Sequence, residues 1–232
     1  MTNTIFIKTH LGMGDNIVHN GLIRKIAKEN PTSQIFTAAK NHYLENVRYM
    51  YRDVNNITVV GVNEDAGLQT YLVTNKFDKI ISTHFGDGNV PYKYDRYFDD
   101  AFYMMVGENP EVKKEYYHLE RNEELENKIY NELIVKKGIT DYIFIHEKKA
   151  HQILIDRNRI EKDLPIIVAE EKYGVFELLK VIENAKSVHV ISSCFLSLFM
   201  CKQYNKNFFA HMYCDRAEIA PYIKKHGINV IL

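Results

Sequence analysis

The chain has 232 residues, with 30 Lys and Arg against 30 Asp and Glu, and so carries no formal net charge. Hydrophobic residues make up 46% and aromatic residues 12%, which is too much for a disordered chain and enough for a packed core. Neutrality argues against bulk nucleic-acid binding, which needs a basic surface, and three cysteines without a CxxC pair argue against a disulfide framework or structural zinc.

Taken in chain order, residues 4–8 read as a strand and 16–29 as a helix with Ile17, Leu22, Ile23 and Ile26 on one side. Residues 34–38 read as a second strand, 41–52 as a helix, 57–60 as a third strand, 64–74 as a helix and 79–82 as a fourth strand. The strand runs are short, apolar and β-branched, as in a parallel sheet buried on both faces. Residues 92–117 break the pattern with Tyr94, Tyr97, Phe98, Phe102, Tyr103, Tyr116 and Tyr117 among charges. That stretch reads as interlobe packing or a subunit contact, with Asp99 and Asp100 on the exposed face of a helix. Residues 121–137 form a long charged helix stopped by Gly138. Strands at 142–146, 165–169, 187–191, 207–211 and 228–232 then alternate with helices at 175–185, 195–204 and 217–226. The fold class is α/β, with two small Rossmann-like halves meeting near residues 110–125. One continuous sheet is the open alternative.

The N-terminus, MTNTIFIKTH, lacks the apolar run of a signal peptide, and no stretch approaches the roughly 18 apolar residues of a membrane-spanning helix. The expectation is a soluble, cytoplasmic protein without a transmembrane segment or nucleic-acid partner.

The first strand runs into Thr9-His10-Leu11-Gly12-Met13-Gly14-Asp15-Asn16 before the first helix. Gly12 and Gly14 permit a tight turn, and N–H groups at the helix start favour an anion or a polar substrate group. The third glycine of the dinucleotide fingerprint is missing, and no GK[ST] follows, so neither that motif nor Walker A is present. A plain helix cap by Asp15 or Asn16 explains the same residues.

The segment LGMGDNIVHNGLIRKIAKENP resembles the opening of heptosyltransferase-type glycosyltransferases, whose GT-B architecture has two lobes facing a cleft. In that family the Asp of a Gly-Asp turn is the proposed general base of an inverting transfer. The resemblance therefore implies that Asp15 takes the proton of an acceptor hydroxyl as it attacks the anomeric carbon. The family often has a His three residues after its Asp; His19 stands four after Asp15 and carries over loosely as a second catalytic residue. GVFELLKVIENAKSVHVISSCFLSLFMCKQY is similar to the family's second half. There Ser192, Ser193 and Cys194 occupy the turn and helix start that would cradle a diphosphate, with Gly14 as a further phosphate contact. Heptosyltransferases usually carry Asp at the Ser192 position and His at the Ser197 position, and this chain has neither. Ile145 to Arg157 is a polar loop after a strand of the second half, where open α/β sheets bind ligands. A family Lys about ten residues past this strand contacts the donor phosphate; Arg157 and Arg159 fall near that spacing, Lys148 and Lys149 nearer the strand. The chain also looks like short viral and environmental glycosyltransferase-like proteins, which share an "F-I-H-acidic … I-D-R" stretch and a "Y-D … F-Y" stretch. That likeness favours His146 and Arg157 as nucleotide or phosphate contacts. Glu170 and Glu171 are candidates for ribose hydroxyls and Tyr173 for base stacking.

The loop His84-Phe85-Gly86-Asp87-Gly88-Asn89 would share a sheet edge with Asp15, placing Gly12, His84 and Asp87 on the acceptor side. No DxD triplet, no metal-ligand spacing among the histidines and no GxSxG are present. A metal-independent enzyme with no cofactor other than its nucleoside-diphosphate sugar is therefore expected. Helix dipoles and basic side chains would balance the leaving diphosphate. The resemblance divides the chain into an acceptor-side half, 1–118, and a nucleotide-sugar-binding half, 119–232. The reading is a glycosyltransferase that moves a sugar from a nucleoside-diphosphate donor to a glycan or other hydroxyl acceptor. The alternatives are a non-catalytic nucleotide- or glycan-binding module, and another nucleotide-dependent α/β enzyme such as a methyltransferase.

Overall fold

The computed structural model describes residues 3–87, 98–161, 163–202, 207–213 and 217–232. Tyr94, Tyr97, Gly88 and Asn89, singled out in the sequence, lie outside the described residues. The chain divides into two units, Met1–Glu120 and Arg121–Leu232. Each has its own parallel sheet, so the single continuous sheet is ruled out.

In the first unit the strands are β1 (Thr4–Lys8), β2 (Gln34–Lys40), β3 (Ile57–Val62) and β4 (Lys79–Ser82), in the order β3-β2-β1-β4. All pairs are parallel, with Ile7 opposite Thr37 and Lys8 opposite Ser82. The helices are α1 (Met13–Glu29), α2 (Leu44–Tyr51), α3 (Asp65–Thr74), α4 (Phe98–Met105) and the single turn α5 (Val112–Glu115). Phe6, Ala38 and Val62 meet Leu68 of α3 on one face of the sheet, with Tyr71, Leu72 and Phe77 against them. The opposite face belongs to α1 and α2, as right-handed crossovers require.

Helix α1 is covered on two sides, which explains an unusual composition. Besides Ile17, Leu22 and Ile23, it buries Asn16, His19, Asn20 and Gly21. The second cover is α4 and α5, drawn from the aromatic, charged middle of the sequence. The Tyr103 hydroxyl, fully buried, donates to the Val18 carbonyl at 2.6 Å. Lys113 of α5 is 1% exposed and pairs with Asp99 at 3.8 Å and Asp100 at 3.3 Å. The sequence reading put Asp99 on an exposed face; it is buried because a buried ammonium needs a counter-charge. Phe102 and Tyr103 of the aromatic stretch are thus internal packing of the first unit.

In the second unit α6 (Glu123–Leu133) leads to β5 (Ile143–His146), β6 (Ile166–Val168), α7 (Leu179–Asn184), β7 (Ser187–Ile191), α8 (Cys194–Cys201), β8 (Asn207–His211), α9 (Ala220–Lys225) and β9 (Asn229–Ile231). The strand order is β6-β5-β7-β8-β9, again all parallel. Asn122 caps α6 by accepting from the Leu125 N–H, and Gly138 ends that segment in the left-handed region at φ 65°. Helices α7 and α8 pack on one face: the Tyr142 hydroxyl donates to the Val181 carbonyl, and Phe195 and Phe199 of α8 contact Phe144 and Phe208. The β5–β6 connection has no α-helix among its described residues, only two short 3-10 turns. Ile155 and Ile160 of that loop, with Ile153 and Leu164, cover Ile143, Ile145 and Ile191 instead.

Gly21 of α1 packs directly against the backbone of α5. A Cβ there would stand 2.5 Å from the Val112 carbonyl oxygen and 2.9 Å from that of Lys113. Backbone cannot yield as a side-chain tip can, so Gly21→Ala must push α5 outward. A loss of about 1–3 kcal/mol is expected in denaturant melts. A stability equal to wild type would contradict this packing.

Candidate functional site

Polar groups in both units gather where the parallel strands end at their carboxyl edge. In the first unit this edge carries the β1–α1 turn and the loop after β4. Helix α1 starts at Met13, three residues earlier than the sequence reading, so the turn is 9–12 and Gly14 is helical. Gly12 is the residue before the helix, with φ −65° and ψ 151°, which any residue can adopt. Its need for glycine is spatial: a Cβ there would stand 2.5 Å from Asp15 Oδ2. The Asp15 carboxylate is therefore folded back over Gly12 in the first turn of α1, where the helix dipole favours a negative charge. The amide of Asn16 donates to the Gly12 carbonyl at 3.0 Å and holds the same turn.

His19 is fully buried, and both ring nitrogens have partners inside the protein. Neither ring nitrogen of His19, expected as a second catalytic residue, is therefore directed at a substrate. Burial lowers its pKa to about 3 against the favourable pull of the Asp15 carbonyl, so the ring is neutral. His84 lies at the edge, stacked on His10 at 4.3 Å and 3.8 Å from Asp65. Burial, then His84, lowers His10 to about 4. Asp87, expected on the acceptor side, is instead committed to the protein. It pairs with the buried ammonium of Lys8 at 2.5 Å and accepts from the Ser82 hydroxyl at 2.7 Å. Burial opposes its ionisation, but those two bonds outweigh it and hold the carboxyl below the usual range.

In the second unit Ser193 precedes α8 and makes no side-chain bond to the helix it starts. Among the described residues its Oγ is buried and has no partner, and the same holds for Nδ1 of His146 at the end of β5. The two belong to neighbouring strand ends, since β5 pairs with β7 and His146 stands opposite Val190. The His146 ring lies 4.3 Å from that of Phe195 in the first turn of α8. Burial, then Lys148, lowers His146 to about 4, so it is a neutral hydrogen-bonding group. Ser192 is half-buried beside Ser193. Cys194 opens α8, and burial raises its thiol to about 11, against the opposing pull of Lys148 and the Phe195 and Cys194 N–H groups. It stays protonated and adds no charge.

Arg157 has partners within the protein. Its Nη2 donates to Glu147 Oε1 at 3.0 Å and its Nη1 to the Ile155 carbonyl at 2.8 Å. Glu147, nearly fully buried, also accepts from the Ile155 N–H at 3.2 Å. The guanidinium is needed there to neutralise a buried carboxylate, which is a different task from holding a diphosphate. Tyr173 donates to Glu132 of α6 at 2.9 Å, and Glu170 pairs with Lys172 at 3.1 Å. Sequence reasoning missed a second buried group on the loop-covered face: His189 Nδ1 lies 2.9 Å from His211 Nε2, and Ser187 Oγ 3.3 Å from His189 Nε2. Burial lowers both rings to about 4. The available signal was His at two inward positions of neighbouring apolar strands.

Among the described residues, no group of three or more His, Cys, Asp or Glu is placed to hold a metal ion, and no helix is long and apolar enough to cross a membrane.

Five buried or half-buried histidines predict acid sensitivity. His10, His19, His146, His189 and His211 all titrate below the 6.5 of a free imidazole. Between 6.5 and about 4 the unfolded chain binds more protons than the fold, so stability present above 6.5 is lost as pH falls through that window. Thermal melts are expected to be flat from about pH 7 to 8 and to drop steadily below 6.5. A melting temperature constant down to about pH 4.5 would contradict the neutral, buried rings.

No protein-family model and no curated protein matches the chain. Solved structures do. The glycosyl transferase family 9 protein from Veillonella parvula DSM 2008 matches with a TM-score of 0.55 at 11% identity, over 90% of this chain and 81% of that one. The E. coli ADP-heptose lps heptosyltransferase II matches with a TM-score of 0.59 at 10% identity, over 98% of this chain and 90% of that one. The chain therefore has the two-sheet α/β fold of GT-B-type glycosyltransferases.

Proposed function

We propose that this chain is a glycosyltransferase that moves a sugar from a nucleoside-diphosphate donor to a hydroxyl acceptor. The observation that carries this reading is a pair of buried polar atoms, His146 Nδ1 and Ser193 Oγ, at the carboxyl edge beside the start of α8, which have no partner among the described residues. A buried polar atom without a partner costs about 1–3 kcal/mol, and a ligand group that bonds to it removes that cost. A phosphate oxygen suits both: Ser193 donates its hydroxyl proton, and the neutral His146 ring donates when its proton sits on Nδ1. Ser192 and the start of α8 add to the same cradle. Arg157 is left out of it, because Glu147 holds its guanidinium.

Asp15 is the proposed base. An inverting displacement needs one carboxylate near the acceptor hydroxyl, and Asp15 is the carboxylate that the β1–α1 turn presents. Gly12 keeps that position open. Cytoplasmic location and independence from metal complete the reading.

The donor arm is tested by thermal shift with UDP, GDP and ADP, with S-adenosylmethionine and NAD as controls. At least one diphosphate is expected to raise the melting temperature, and Ser193→Ala with His146→Phe is expected to abolish that rise. Stabilisation by S-adenosylmethionine or NAD alone would contradict the reading. Binding of a diphosphate with no hydrolysis or transfer of its sugar would favour a non-catalytic binding module. For the base, Gly12→Ala must displace the Asp15 carboxylate, a flexible side-chain tip, at little cost in stability. It is expected to keep diphosphate binding and to lose roughly tenfold to a hundredfold in turnover. Unchanged turnover would remove Asp15 from the chemistry.

A further inference from the structure

The turn of α1 that bears Asp15 is tied to the rest of the first unit by a buried imidazole. His19 Nδ1 lies 2.6 Å from the Asp15 carbonyl oxygen, and Nε2 lies 2.8 Å from Thr83 Oγ1. A carbonyl oxygen only accepts, so Nδ1 carries the proton. The neutral ring then has a bare Nε2, which accepts from the Thr83 hydroxyl at 2.8 Å; the Lys8 carbonyl, 3.2 Å from the same oxygen, is the second acceptor within its reach. Thr83 is fully buried and is itself fixed, since its N–H donates to the Lys8 carbonyl at 2.9 Å. The Phe102 ring lies 4.3 Å from the imidazole and completes its enclosure. The end of β1, the loop after β4 and the first turns of α1 thus meet through one side chain.

Other residues of this region show that the arrangement exceeds ordinary helix chemistry. The Asn16 amide donates to the Gly12 carbonyl at 3.0 Å, and the Asn30 amide to the Ile26 carbonyl at 2.8 Å. Those bonds satisfy a carbonyl four residues back and end there. His19 makes the same bond and continues to a second segment 64 positions away in the chain.

We propose that His19 is a positioning residue: through Thr83 it locks the turn that carries Asp15, so that the Asp15 carboxylate keeps one direction without help from substrate. The proposal rests on the reading of Asp15 as the base. It assigns Thr83 a part in the reaction although Thr83 touches no reacting atom.

The test compares Thr83→Val, which removes the hydroxyl, with Thr83→Ser, which keeps it. Two readouts are used. One is the carboxyl carbon NMR signal of Asp15 in the free protein. The other is turnover of UDP-glucose, GDP-mannose and ADP-glucose, with Asp15→Asn as control. In Thr83→Val the Asp15 signal is expected to move and turnover to fall roughly tenfold or more, with donor KM within about twofold of wild type. Thr83→Ser is expected to restore both. An unmoved Asp15 signal, or a loss of melting temperature as the sole effect of Thr83→Val, would overturn the proposal. Wild-type turnover by Asp15→Asn would instead overturn the base reading, whatever the Asp15 signal does in the Thr83 variants.

Discussion

Parallel strands buried on both faces leave little room for polar chemistry along their length, and this constraint arranges the rest of the molecule. Ile5, Phe6, Ile7, Ile143, Phe144, Ile145, Val188 and Val190 are all buried, as a sheet between two covering layers demands. Charged side chains that enter the interior meet a counter-charge there. Lys8 has Asp87, Lys113 has Asp99 and Asp100, and Glu147 has Arg157. His189 has His211. What remains unpartnered at the strand ends is then informative. His146 Nδ1 and Ser193 Oγ are such atoms, on adjacent strand ends, next to a helix start.

The same constraint separates residues that shape the site from residues that face a ligand. Asp87, Arg157 and His19 all carry groups suited to catalysis or phosphate binding, and each spends them inside the protein. Asp87 compensates Lys8, Arg157 compensates Glu147, and His19 joins α1 to the β4 loop. Removing any one of them would leave a buried charge or polar atom exposed to an apolar interior, and such losses are larger than the worth of the pair itself. Asp15 differs in that its carboxylate lies over a residue with no side chain, at the start of a helix.

Much of the fold was legible in the chain. The strands were readable because short β-branched and aromatic runs such as residues 4–8, 143–146 and 187–191 alternate with amphipathic segments at regular intervals. The helix stop at Gly138 was readable because its left-handed φ needs glycine. The start of α1 was misread by three residues, since Met13 and Gly14 look like turn residues, and only the fold shows that the turn ends at Gly12 and that Gly14 is helical. The buried Asp99 was invisible for another reason: its counter-ion, Lys113, comes from a separate helix. Of the site, Asp15, His146 and Ser193 could be named from strand-turn-helix positions and from resemblance. Thr83 could not, because its partner His19 is distant in sequence and a threonine after a strand has no signature. The Glu147 partner of Arg157 was not legible, because a basic residue at a sheet edge looks the same whether it awaits a phosphate or holds a buried carboxylate.

The central claim is that a nucleoside diphosphate binds at the start of α8 through His146 and Ser193. The most direct measurement is a crystal structure of the chain with UDP, GDP or ADP bound, whichever binds most tightly. The account predicts diphosphate oxygens at hydrogen-bond distance, about 2.7–3.2 Å, from both His146 Nδ1 and Ser193 Oγ. A nucleotide seated elsewhere, with those two atoms still unpartnered, would contradict it.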